Sequence, residues 1–502
     1  MNRKTHTLLM LLALILSLPA CHGQAEYPAA KPEATGQAVK TLAGETVASG
    51  ELEAFITQTM EKANVAGLSC AIINDGQIVY KQAFGFKDKR AGALNDTETI
   101  FGAASFSKTV FAYLVMLLAE EGTIDLDRPL YEYLPKPLPE YPAYSDLAGD
   151  DRYKQITGRM ALSHSTGFPN SRFLTPENRL TFLFPPGTRH SYSGEGIDLL
   201  QMVVEEITGK DLETLARDKV FAPLGMRRTS YVWQDAFEAN YARPHDEFGR
   251  PRELNRRVEA DAAGSMVTTA EDYARFLVGI LNATGQRKIS VDEMLRPQIA
   301  ITYEAMFGPG SRQETDRYRS INLSWGLGWG RFDSEHGRAF FHTGHDIGFQ
   351  NYTVTYPDKG IGIVLLSNSD NFESVASEIV QQAIGDRHSP FDWLGYIPFD
   401  PSRVKTPPPE PVAVEVDPEI LRTYAGAYRV SADTTIYVKL DEGRLYLSRD
   451  AEHWEQAYGE SETRFFVQGD DTRFVFVKDA DGKISGLNIE MQGLVIPAQK
   501  VD

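Results

Sequence analysis

Seven prolines fall between Pro398 and Pro418, three of them consecutive at Pro407, Pro408 and Pro409. Each proline fixes its own φ and removes a backbone donor, so neither a helix interior nor a central strand can run through such a stretch. The chain therefore has to build at least two bodies joined by a stiff, extended connection, here 398–417. Downstream, 418–502 alternates apolar and polar residues in short runs: Thr435–Leu440, Arg444–Leu447, Arg464–Val467, Arg473–Val477 and Ile484–Ile489. Turn formers such as Asp441-Glu442-Gly443 and Asp481-Gly482 separate them, the pattern of a small antiparallel barrel or sandwich.

Upstream, 48–397 mixes helical and strand periods. Leu52, Phe55, Ile56 and Met60 recur at helical spacing. Leu68–Ile73 and Gln77–Phe84 read as strands, and Asn74-Asp75-Gly76 between them is a hairpin signal. Ser105–Glu121 is the most apolar helical pattern, stopped at Gly122. Leu199–Ile207 and Phe372–Ile384 read as further helices, Asn351–Tyr356 and Ile361–Ser367 as consecutive strands. Two cysteines, Cys21 and Cys70, exclude a disulfide framework, and Cys70 lies in an apolar run as a small buried hydrophobe would.

The start of the chain reads as a targeting segment. Arg3 and Lys4 precede an apolar run, Leu8–Leu18, too short for a stable membrane anchor. Leu18-Pro19-Ala20-Cys21 resembles the lipobox of bacterial lipoproteins, which implies a signal peptide over 1–21, lipid on Cys21, and a cell-envelope location, the periplasmic face of the outer membrane. Residues 22–47 read as a solvated tether. The formal net charge of -18 opposes binding to nucleic acid or to anionic lipid surfaces.

Three clusters can carry chemistry. Ser105-Phe106-Ser107-Lys108 opens the apolar helix, and residues three apart share a helix face. A lysine there can take the serine proton when it is itself unprotonated, and the helix end offers free N–H groups to an oxyanion. The same spacing recurs at Ser402 and Lys405 in the proline-rich joint, so spacing alone decides nothing; what singles out Ser105 is its place between a strand-like run, Thr99–Ala103, and the helix. The structural alternative for Ser105 is a plain N-cap. Tyr192-Ser193-Gly194 follows the turn Pro185-Pro186-Gly187, and a tyrosine near a cation can shuttle a proton. His342-Thr343-Gly344-His345 reads as a strand followed by Gly348; such a strand edge can bind an extended substrate and offer an N–H to an oxyanion.

Taken in this order and at these separations, the three clusters resemble the serine β-lactamase and penicillin-binding protein superfamily, in its class C β-lactamase, D-aminopeptidase and esterase branch, over Glu51–Gly385. Met160–Gly167, Ala263-Gly264-Ser265-Met266 and Thr269-Ala270-Glu271-Asp272 are similar to further segments of that family. The joint and Tyr424-Ala425-Gly426-Ala427-Tyr428 resemble the start of a lipocalin-like module found in some relatives. The resemblance implies an α+β fold, an antiparallel sheet flanked by helices with a helical subdomain, then a β-barrel. It implies Ser105 as nucleophile, Lys108 as its base and Tyr192 as proton shuttle. It further implies an oxyanion hole from the N–H groups of Ser105 and His345, and His342-Thr343-Gly344 as the counterpart of a Lys-Thr-Gly strand.

Two positions depart from the family pattern. Gly194 stands where many relatives carry Asn, and His342 where they carry Lys, a stronger carboxylate clamp than a neutral imidazole. Both departures favour an esterase or an amide or peptide hydrolase over a true β-lactamase or D-Ala-D-Ala carboxypeptidase. They also leave open a non-catalytic envelope-binding protein of the same fold. A Ser–His–acid hydrolase using His164, His190 or His345 is disfavoured, because the chain has no Gly-x-Ser-x-Gly elbow. No cofactor is expected. Nor is a metal, since there is no His-Glu-x-x-His and His342 and His345 face opposite sides of their strand. Loops at 136–152 and 302–322 are expected to shape the pocket.

Overall fold

A computed structural model describes residues 38–175, 178–405, 411–430, 434–467, 472–491 and 494–501. Cys21 and the targeting segment lie outside the described residues. The upstream body is built on a sheet of nine strands, each paired antiparallel to its neighbours. In chain order they are β1 (Gly67–Asn74), β2 (Gln77–Asp88), β3 (Ala93–Leu94), β4 (Ile299–Ala300), β5 (Ser324–Trp325), β6 (Gly330–Ser334), β7 (Gly337–Asp346), β8 (Phe349–Tyr356) and β9 (Ile361–Ser367). Their spatial order is β3-β2-β1-β9-β8-β7-β6-β5-β4. The β1–β2 hairpin closes through Asp75 and Gly76, both at positive φ (51° and 70°) as the right-handed twist of a two-residue hairpin requires.

Side chains alternate across the sheet, so successive residues enter different cores. Ala71, Ile73, Val364, Leu366 and Phe340 join the core that holds α2 (Phe106–Glu120), α3 (Gly194–Thr208) and α4 (Ala270–Leu281). Leu68, Cys70, Ile72, Ile363, Leu365 and Phe341 join the core that holds α1 (Ser49–Ala63) and α5 (Glu373–Ile384). Cys70 is a free, fully buried thiol whose ionisation burial pushes far up. The segment expected to be tether is ordered at its end: Val39–Lys40 pairs with Thr46–Val47, and the Leu42 N–H donates to the Ile384 carbonyl at 2.8 Å. Val39 and Leu42 are buried against α5, which gives this stretch an apolar anchor.

The strand-like run before Ser105 is shorter than expected. Only Phe101–Gly102 is a strand, and it pairs with Val267–Thr268 rather than with the main sheet. Beyond the joint, α6 (Pro418–Tyr424) leads into a closed barrel of eight strands running from Gly426–Arg429 to Leu494–Val501, each bonded to the next and the last to the first. Tyr424 stacks on Phe476 with ring centroids 4.1 Å apart and ties α6 to the barrel core.

Candidate active site

Ala104 sits at φ 48°, a left-handed turn rare for alanine, and Ser105 then opens α2. Ala103 donates its N–H to the Met266 carbonyl, and the Ser107 hydroxyl donates to the Ala104 carbonyl (2.6 Å) while accepting the Met266 N–H (3.0 Å). The turn is thereby locked to the Val267–Thr268 strand. Ser105 makes no capping hydrogen bond with its side chain, so the plain N-cap alternative is not what its hydroxyl does. Its Oγ instead accepts from Lys108 Nζ at 3.1 Å.

Lys108 is buried, and a second donor bond runs from its Nζ to the carbonyl of Ala263. That explains the Ala263-Gly264-Ser265-Met266 segment physically: its backbone carbonyl aims the amine. Nζ also lies 5.0 Å from the centre of the Tyr192 ring. The Tyr192 hydroxyl is buried with no hydrogen-bond partner among the described residues.

Tyr192 is held from behind by His164. The His164 carbonyl accepts the Ser191 N–H (2.8 Å), its Nδ1 accepts the Ser193 N–H (3.2 Å), and its ring lies 4.3 Å from the Tyr192 ring. Ser193 caps α3 by accepting the Gly196 N–H at 3.0 Å. Gly194 has a steric reason to be glycine, since a Cβ there would stand 2.7 Å from the Asn170 carbonyl oxygen. Asn170 takes the space, and its Oδ1 accepts the Gly194 N–H at 3.1 Å.

Strand β7 approaches Ala104 through Gly344. A Cβ at 344 would lie 2.6 Å from the Ala103 carbonyl oxygen. β6 pairs with β7 only as far as Phe341, so this edge of His342–Asp346 carries no β6 partner. Alternation puts His342 and Gly344 on the side of Ser105, and Thr343 and His345 on the other. The Thr343 hydroxyl contacts the Tyr396 hydroxyl and donates to the Asn351 carbonyl (3.2 Å). His345 turns outward to Glu373 at 2.9 Å, a contact that raises its pKa above 6.5. Of the four residues, Thr343 and His345 therefore present only backbone to Ser105.

His342, His164 and His190 surround Trp325, with ring centroids 5.6, 5.2 and 5.0 Å away. Burial first, then the neighbouring Lys108, pushes His342 down to about 3. Burial and Arg189 push His190 to about 3 as well, and burial holds His164 well below 6.5. His342 is thereby held as a neutral imidazole at neutral pH.

Sequence spacing missed Asp198 on α3. Its carboxyl is buried beside Asp261, and burial followed by that neighbour raises its pKa well above 3.8. The loop 302–322 does reach the site, placing Phe307 5.7 Å from the Tyr192 ring. Spacing also missed His388. With Glu335 and His336 it offers ligand atoms within 4.8 Å of one another, at the β6–β7 turn and so at the far end of β7 from the site.

The profile of the family described as Beta-lactamase matches residues 52–385, and a Domain of unknown function (DUF3471) matches 410–499. The chain is 24% identical to Penicillin-binding protein 4 of Amycolatopsis lactamdurans over 71% of its own length and 92% of that protein. It is 25% identical to an N-acetylmuramyl-L-alanine amidase of Bacillus subtilis, over 62% and 80% respectively. The octameric penicillin-binding protein homologue from Pyrococcus abyssi shares the fold over 90% of this chain and 99% of its own, at a TM-score of 0.54 and 21% identity. The β-lactamase/transpeptidase-like sheet and the profile match over 52–385 agree, and the chain belongs to the beta-lactamase family.

Proposed function

We propose that this protein is a serine acyl-hydrolase that passes through an ester on Ser105 Oγ and acts on esters, amides or peptides. The observation that carries the proposal is the Lys108 Nζ to Ser105 Oγ contact of 3.1 Å, with the amine held by a neutral carbonyl rather than by a carboxylate. Among the described residues no acidic side chain forms an ion pair with Lys108. In acylation Ser105 Oγ bonds to the substrate carbonyl carbon and its proton passes to Lys108 Nζ. The bond from carbon to the leaving oxygen or nitrogen breaks, and Tyr192 hands that atom a proton. The N–H groups of Ser105 and His345 would hold the oxyanion. A water then gives a proton to Tyr192 and bonds to the ester carbon, the carbon–Oγ bond breaks, and Oγ takes back the proton held on Lys108. The relatives named as penicillin-binding protein and amidase support acyl transfer as the reaction class.

A fluorophosphonate probe followed by intact mass tests the assignment. One adduct is expected on the wild type and none on Ser105→Ala, with Lys108→Ala labelled at least about a hundredfold more slowly, the usual worth of a general base. Label persisting on Ser105→Ala would overturn the assignment. No acylation by any ester or β-lactam, with muropeptide binding intact, would favour the envelope-binding alternative that the neutral His342 suggests. We further propose that Cys21 carries the lipid that places the enzyme in the envelope, on the strength of Leu18-Pro19-Ala20-Cys21. Loss of palmitate incorporation in Cys21→Ser is the expected result, and retained incorporation would refute it.

A further inference from the structure

A cleft of about 410 Å³ opens beside Ala104, and its wall is shared between the two bodies. The hydrolase body contributes Trp233, Met266 and Phe349, an apolar floor, while the barrel contributes Arg449, Thr472 and Met491. Ser105, Lys108 and Tyr192 do not themselves line this cleft; it meets the site through Ala104, next to Ser105 in the chain, and through Asp346 at the end of β7. Two features of charge stand out. Arg257, also in the wall, is bound by Asp261 (3.5 Å) and Asp346 (3.0 Å) and is already neutralised. Arg449 is exposed and has no acidic partner among the described residues, while Glu253 lies elsewhere in the same wall.

We propose that the C-terminal barrel forms the outer wall of the acyl-binding cleft, and that Arg449 recognises a carboxylate at the far end of an apolar acyl chain lying on Phe349, Trp233 and Met266. The inference rests on the assignment of Ser105 as nucleophile, since Ala104 is what ties the cleft to the chemistry. It gives the barrel a task, and it supplies an anion contact in a family member whose strand position 342 is a neutral imidazole. An arginine matches a carboxylate in geometry and charge, and on a partly wet rim such a contact contributes more to discrimination than to affinity.

Three p-nitrophenyl esters of similar length test this in the full chain: butyrate, glutarate with a free terminal carboxylate, and 4-aminobutyrate. The glutarate-to-butyrate ratio of kcat/KM is expected to exceed one, to fall about tenfold or more in Arg449→Glu, and to fall less in Arg449→Lys; Arg449→Gln replaces the Glu variant if that does not fold. An unchanged ratio in Arg449→Glu, or a preference for the 4-aminobutyrate ester, would overturn it. Calorimetry of glutaramate on Ser105→Ala separates the two proposals. Binding that is lost in Ser105→Ala/Arg449→Glu upholds the arginine site even where no ester is turned over, and ester turnover with no such binding overturns the site alone.

Discussion

Replacing His342 by Gln should make the protein less sensitive to acid by about 2 kcal/mol between pH 7 and pH 5. An unfolded histidine titrates near 6.5, whereas buried His342 is held down to about 3. Below pH 6.5 the unfolded chain binds a proton there that the folded chain refuses, so stability falls as pH falls through the unfolded value. One such group costs about 1.4 kcal/mol for each pH unit well below 6.5, and integrating from pH 7 to pH 5 gives about 2 kcal/mol. Full burial leaves no solvent screening to discount. His190, also pushed to about 3 on the same Trp325, acts in the same direction, and so does His164, which burial holds well below 6.5. The measurement is urea unfolding followed by tryptophan fluorescence, for which four of the five tryptophans lie between Trp233 and Trp393. The stability of His342→Gln minus that of wild type should rise by about 2 kcal/mol on going from pH 7 to pH 5, whatever its value at pH 7. A difference that stays constant within about 0.5 kcal/mol would show that His342 takes up its proton as readily in the folded state as in the unfolded chain, and the account of position 342 as a neutral group would fail with it.

Gly344→Ala should cost about 1–3 kcal/mol of stability, because its Cβ would sit 2.6 Å from the Ala103 carbonyl and force β7 away from Ser105. Acylation by a fluorophosphonate should slow by at least about tenfold with the fold retained, and an unchanged rate would show that β7 does not bound the site. Asp198→Asn should gain stability over wild type as pH rises from 4 to 7. A carboxyl whose folded pKa lies above 3.8 stabilises the fold below that value and loses the contribution as pH climbs through the raised one. The same urea series checks it, and a gap between the two proteins that does not change with pH would refute it.

What the sequence could and could not disclose divides along physical lines. Local rules were legible where neighbours in sequence decide the outcome. Asn74-Asp75-Gly76 turned a hairpin, and Val110, Leu114 and Leu117 marked α2. Five barrel strands showed by alternation; the other three, Glu455–Gly459, Leu494–Val501 and the short Gly426–Arg429, did not. The first is mostly polar, and the second contains Pro497, which ordinarily argues against a strand interior. In a barrel that closes Leu494–Val501 onto Gly426–Arg429 the pairing supplied by both neighbours outweighs that signal.

The site follows the same division. Ser105 and Lys108 share a spacing with Ser402 and Lys405, yet the second pair is spent on surface contacts: the Ser402 hydroxyl donates to Asp400 and Lys405 pairs with Glu247. Context separated the pairs, and context is what tertiary folding supplies. The contacts that define the amine come from far along the chain: the Ala263 carbonyl 155 positions on, and the ring of Tyr192. No window around Lys108 contains them. The substitution at 342 shows the limit most directly. Sequence reading found a weaker clamp than lysine there, because imidazole is a weaker cation at neutral pH. Only the packing of His342 against Trp325 and Trp329, near Lys108, turns a weak cation into none at all. A carboxylate-bearing substrate would then need its positive charge elsewhere, and of the arginines that line the cleft beside Ala104, Arg449 on the barrel, exposed and without an acidic partner among the described residues, is the one we propose supplies it.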